Sequence, residues 1–172
     1  MRFLGYKSIL IFIFSTILLI SLTNVVVFKV LKVIADDNVL YFKLPVRNIT
    51  LIYKHSYLLT EVREVYEVRN DQVCVKEVVW PIGGAGAPAS VKDLEYLNGI
   101  VEVRGGNYVV TNAKYCLGGG FTLDTEFMID WKLIIDGYEV RSSKEVKLDI
   151  VEVSWVQYLL ARLGVYMSLL YK

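Results

Sequence analysis

Hydrophobic and polar positions fall into three regimes along the chain. From Ser8 to Phe28 the sequence reads SILIFIFSTILLISLTNVVVF without a charge, a run long enough to cross a hydrocarbon core about 30 Å thick as a helix. From residue 39 to 153 short apolar runs alternate with polar positions and are broken by turn residues, the period-two pattern of strands. From Trp155 to Tyr171, WVQYLLARLGVYMSLLY fits a helix that is apolar except for Gln157, Arg162 and Ser168. Predicted strands cover 39–44, 48–56, 62–69, 73–80, 100–104, 107–113, 125–135, 138–142 and 145–153. Gly105-Gly106 and Asp136-Gly137 mark two hairpin turns, and residues 91–97 read as a short helix or loop ended by Asn98-Gly99. The expectation is all-β: an antiparallel sandwich or barrel-like domain over 36–153, with an N-terminal transmembrane helix within 1–35 and a C-terminal hydrophobic helix within 154–172.

Arg2 and Lys7 precede the first apolar run, while Lys29, Lys32, Asp36 and Asp37 follow it. That balance favours an uncleaved anchor in the cell membrane, with the N-terminus cytoplasmic and the main domain extracytoplasmic. A secretory signal cleaved at Val33-Ile34-Ala35 and a soluble core helix are the competing readings. For the C-terminal run, Arg162 weighs against a second span, since a mid-bilayer arginine costs about 2.5–3.5 kcal/mol. An interfacial helix with its aromatics at the headgroups avoids most of that cost. Gln157, Ala161, Gly164 and Ser168 fall on one narrow stripe that would let a partner helix approach closely. An interfacial or partner-packing helix therefore ranks ahead of a second span and of a helix covering the sheet.

Charge changes the picture by exclusion: 19 Lys plus Arg balance 18 Asp plus Glu, so no basic excess points to nucleic acid. Cys74 and Cys116 are the only cysteines and are candidates for a disulfide outside the cell, their spacing leaving bridged and free forms both open. With one histidine beside them a structural zinc site is not expected, and no other cofactor is implied. Asp124, Glu126 and Asp130 read as a charged solvent face rather than a calcium site. Asn48-Ile49-Thr50 is a glycosylation sequon if the domain is external.

The candidate chemistry lies around the lone histidine, His55. Pairing strands 48–56 and 62–69 through the loop 58–61 sets His55 opposite Glu64 and Tyr53 opposite Tyr66. One face then collects Ile49, Leu51, Tyr53 and His55 with Val62, Glu64, Tyr66 and Val68, while Lys54, Arg63, Glu67 and Arg69 take the other. A carboxylate on an apolar face needs a partner. A structural His55–Glu64 hydrogen bond that pins the register, a ligand pocket that adds Ser56 and the tyrosines, and catalysis by the pair are the three readings, in that order. The loop Pro81-Ile82-Gly83-Gly84-Ala85-Gly86-Ala87-Pro88 could cradle an anion on the amides around Gly84 and Gly86, or serve as a tight crossover where only small residues fit. It lacks the Lys-Ser/Thr of a phosphate-binding P-loop. Gly118-Gly119-Gly120 reads as a second loop.

Leu44-Pro45-Val46, Tyr53-Lys54-His55-Ser56, Val62, Glu64-x-Tyr66 and the later Gly84-Ala85-Gly86-Ala87-Pro88 together resemble the domain of unknown function 1850 family. The resemblance implies a small extracytoplasmic β domain with no established activity. It also implies an accessory role beside TRAP transporters of the TAXI type, which take up organic anions with a separate solute-binding protein. The expected function is thus a membrane-anchored binding or accessory module, whose partners are the lipid bilayer and a TRAP transporter membrane subunit or its solute-binding protein. A structural or assembly protein of the envelope is the alternative, and a hydrolase using His55 and Glu64 ranks below both.

Overall fold

The computed structural model describes residues 5–25, 27–36, 38–46, 48–54, 59–83, 88–126, 128–142 and 144–170. Two compact units emerge, Leu31–Ile150 and a second formed by Met1–Val30 with Val151–Lys172.

The first unit is mostly β. A four-stranded sheet has the order β2 (Asn38–Lys43), β1 (Val27–Ala35), β11 (Glu145–Ser154), β8 (Gly120–Asp124). A seven-stranded sheet has the order β10 (Tyr138–Val140), β9 (Ile129–Ile135), β3 (Ile49–Lys54), β4 (Glu61–Arg69), β5 (Gln72–Pro81), β7 (Asn107–Thr111), β6 (Ile100–Arg104). Both sheets are antiparallel, and they share one apolar core. Leu31, Val33, Leu123 and Leu148 from the smaller sheet are buried with Ile49, Leu51, Val110 and Leu133 from the larger. The Tyr66 and Phe121 rings meet between the sheets at 5.3 Å. The hairpins at Gly105-Gly106 and Asp136-Gly137 form as the turn chemistry predicts, closing Arg104 onto Asn107 and Ile135 onto Tyr138.

Three boundaries differ from the sequence expectation. Helix α1 (Tyr6–Val25) stops before the end of the apolar run, and Val27–Ala35 is a strand rather than the tail of an anchor. The stiff β-branched Val27 begins it, and Leu31, Val33 and Ala35 then alternate with Lys32 and Ile34 in burial. Because β1 is internal to its sheet, cleavage after Ala35 would strip a strand out of the fold. Thr125, Glu126 and Met128 lie outside β9 instead of extending it: the buried Thr125 hydroxyl donates to the Lys144 carbonyl at 2.6 Å, and Met128 N–H bonds Thr125 O at 3.2 Å.

Gly120 opens β8 rather than ending a loop. The β11 backbone runs so close that a Cβ at residue 120 would collide with the Leu148 carbonyl oxygen and lie 2.9 Å from Asp149 Cα. Gly120→Ala is therefore expected to cost about 1–3 kcal/mol, read as a lower urea midpoint at unchanged slope. An unshifted midpoint would contradict this close approach.

The second unit holds α1 and α2 (Trp155–Leu170). Residues 7, 19–20 and 22–25 of α1 and 164–170 of α2 are described as backbone only. Among the described residues no helix is long and apolar enough to cross a membrane. Ser154 caps α2: Gln157 Oε1 accepts the Ser154 N–H at 2.9 Å and Ser154 Oγ accepts the Gln157 N–H at 3.3 Å, a reciprocal capping box.

Candidate functional site

Glu64 sits on β4, the middle strand of seven. Across the sheet its row reads Leu133, Leu51, Glu64, Val78, Val110. Every neighbour in that row is buried, so a carboxyl occupies the centre of an apolar face.

The β3–β4 register differs from the expected one. Leu51 faces Glu64, Tyr53 faces Val62 and Ile49 faces Tyr66, so the pairing of His55 with Glu64 and of Tyr53 with Tyr66 is corrected by four residues along β3. An even slip preserves the faces and changes the partners. Two tyrosines reach the carboxyl instead. Tyr66, two residues along the same face, donates its hydroxyl to Glu64 Oε2, and Tyr53, the diagonal cross-strand neighbour, donates to Oε1 at 3.2 Å.

Two further tyrosines border this group, and no sequence pattern pairs them with it. Tyr96 belongs to a 3-10 helix (Val91–Leu97), whose start is capped by Asp93 accepting the Ala89 and Ser90 N–H groups at 2.9 Å each. Leu94 and Leu97 bury that helix, leaving Tyr96 57% exposed. Tyr115 meets Tyr96 edge to face at 5.4 Å. Tyr115 is held by the Cys74–Cys116 disulfide and by backbone bonds on either side of it, Val75 N to Tyr115 O and Leu117 N to Val73 O, both 2.8 Å. The crosslink thus fixes one wall of the tyrosine group.

Burial pushes the Glu64 carboxyl above the ordinary glutamate range, and it outweighs the Tyr66 and Tyr53 hydrogen bonds that favour the carboxylate. Burial, and then the neighbouring carboxylate, also raise the Tyr53 and Tyr66 hydroxyls. Tyr96 is raised by partial burial and then by Glu64. Trp80 packs against the core beside this region, on the same β5 face as Val78. Its Nε1 is buried with no hydrogen-bond acceptor among the described residues.

Tyr53 also lines a groove of about 620 Å³ with Ile52, Trp131 and six charged residues. Lys54 pairs with Asp130 at 2.5 Å and Arg141 with Glu139 at 3.1 Å, so its charges are largely matched. A bulge in β9 between Lys132 and Ile129 creates the rim there, with Asp130 in the left-handed region at φ 50°.

His55, Ser56, Gly84 and Gly86 lie outside the described residues. Asn48 is exposed; its N–H bonds Asp136 Oδ1 at 3.1 Å, away from Glu64. Asp124, Glu126 and Asp130 are all exposed, and among the described residues no cluster of His, Cys, Asp or Glu could hold a metal ion. Fold and site together define a disulfide-bonded, two-sheet β domain with a tyrosine-held carboxyl at the centre of its larger sheet. Compared with protein families, curated proteins and solved structures, the chain finds no match.

Proposed function

We propose that this chain is a membrane-anchored extracytoplasmic binding or accessory module that takes a carboxylate-bearing solute or partner group at Glu64. The observation that carries the reading is the placement of Glu64 among donors: the Tyr53 and Tyr66 hydroxyls contact it, and Trp80, two residues along β5 from Glu64's cross-strand neighbour Val78, has a buried N–H with no acceptor among the described residues. An unpaired buried donor is uncommon and asks for an acceptor. A carboxyl that burial biases toward its protonated form can itself donate to an anion. The resemblance to the domain of unknown function 1850 family makes the system served a TAXI-type TRAP transporter, through its membrane subunit or its solute-binding protein.

Two observations support the location. Phe12 and Phe14 of α1 are 72% and 70% exposed, with exposed Ile11 before them and Ile17 beyond them. The Cys74–Cys116 bond suits an oxidising compartment.

Affinity purification of the detergent-solubilised protein is expected to bring down the transporter subunit or its binding protein. Glu64→Ala is expected to weaken that association by about tenfold, the loss of one hydrogen bond to a charged group, with the near-UV spectrum unchanged. A folded variant that binds undiminished overturns the proposal. A variant that unfolds assigns the cluster to the core alone.

A further inference from the structure

We infer that α2 lies in the membrane beside α1, with its first turn at the outer headgroup level, and that Arg162 there binds the phosphate of an anionic phospholipid. The inference rests on the reading of α1 as the anchor.

The chain reaches both helices from one place. Strands β1 and β11 are antiparallel neighbours, and Phe28 at the start of β1 packs on Trp155 at 5.9 Å and Tyr158 at 5.2 Å. The helices α1 and α2 touch. If α1 enters the bilayer at this point, α2 begins at the same level.

The side chains of α2 suit that position. Tyr158 is buried, whereas Leu159, Leu160 and Leu163 are exposed. The sequence from Leu163 to Tyr171 carries no charge. The exposed Leu159, Leu160 and Leu163 side chains are stable against hydrocarbon and unfavourable in water. Phe28, Trp155 and Tyr158 form the aromatic cluster typical of a membrane–water boundary. The capping box at Ser154 and Gln157 satisfies amide groups of the first turn without relying on water, as a helix end at a bilayer surface requires.

Arg162 explains why the helix can sit there. Its guanidinium lies 5.7 Å from the Tyr158 ring, one turn back toward the helix start. Side chains on a helix tilt that way, so the charge is carried toward the headgroups while its aliphatic stem stays among the leucines. The α2 sequence contains no acidic residue, and among the described residues no carboxylate pairs with Arg162. A guanidinium held over a ring at this distance keeps N–H donors free for a bidentate oxyanion. At headgroup depth that oxyanion is a lipid phosphate.

The test uses full-length protein in vesicles containing brominated phospholipid, with Trp155 isolated as the difference between wild type and Trp155→Phe. Trp80 and Trp131 are untouched in that comparison. Trp155 is expected to be quenched most by bromine near the lipid carbonyls. It is also expected to report about a fivefold preference for phosphatidylglycerol over phosphatidylcholine, the scale of one basic residue at an anionic surface. Arg162→Ala should bring that preference to parity, and Arg162→Lys should keep part of it. No quenching of Trp155 overturns the inference, as does a preference that Arg162→Ala leaves intact. Alkaline carbonate separates this from the anchor: protein released by carbonate defeats the reading of α1, whereas retained protein with an unquenched Trp155 defeats only the placement of α2.

Discussion

Replacing both Cys74 and Cys116 by alanine is expected to cost about 2–5 kcal/mol of unfolding free energy. The bond closes a loop of sequence separation 42 that includes β6, β7 and the 3-10 helix. Opening it leaves the folded contacts nearly as they are and frees the unfolded chain, so the loss arises mainly from the unfolded state. The ladder beside it, from Val73 to Gly118 and from Val75 to Tyr115, should still form in the alanine variant. Urea unfolding with and without reductant checks this. Reductant should lower the midpoint of the wild type and leave the double variant unmoved, and an unmoved wild type would sink the argument. Tyr115 should also lose order first, seen as the weakening of its aromatic contact with Tyr96.

The second large effect concerns pH. The folded Glu64 carboxyl holds its proton more tightly than the unfolded one, so the native state binds more protons across the window between the two values. Stability contributed by this group is complete below the unfolded glutamate value, about 4.3, and is lost as pH rises through the folded value. Tyr53→Phe with Tyr66→Phe removes the two hydrogen bonds that favour the carboxylate. The titration should move further up, and above it the double variant should lose about 2–5 kcal/mol, roughly the cost of leaving a buried carboxylate without donors. At acidic pH the penalty should be much smaller. Glu64→Gln should flatten the pH dependence across the same window. Urea midpoints measured at a series of pH values decide: if Glu64→Gln keeps the wild-type slope, another group is responsible.

The faces of the strands were legible in the sequence because side-chain alternation has period two. Val62, Glu64 and Tyr66 read as inward from the residue pattern alone. Register was not legible, because it is set by the connection, and the residues between Lys54 and Glu61 carry no hairpin signal. The pairing of Glu64 with Leu51 therefore had to come from the fold. Strand β1 was hidden for a different reason: its valines continue the apolar run of α1, and hydrophobicity does not change where the conformation does. Tyr96 and Tyr115 join the Glu64 group through the packing of Leu94 and Leu97 and through the disulfide, and such long-range contacts leave no local pattern. By contrast, Ser154-x-x-Gln157 is a helix start written in the sequence, and it fixes the end of β11 to the residue.

The neighbouring positions of β1 and β11 have an evolutionary consequence. Residues 27–154 begin and end on adjacent strands, so genetically they behave as a cassette carried between two helices. Another β domain whose first and last strands are adjacent could replace it without altering either helix. Selection on the helices and selection on the Glu64 face can then proceed separately, and recombination just before β1 and just after β11 would be tolerated where crossovers inside either sheet would not.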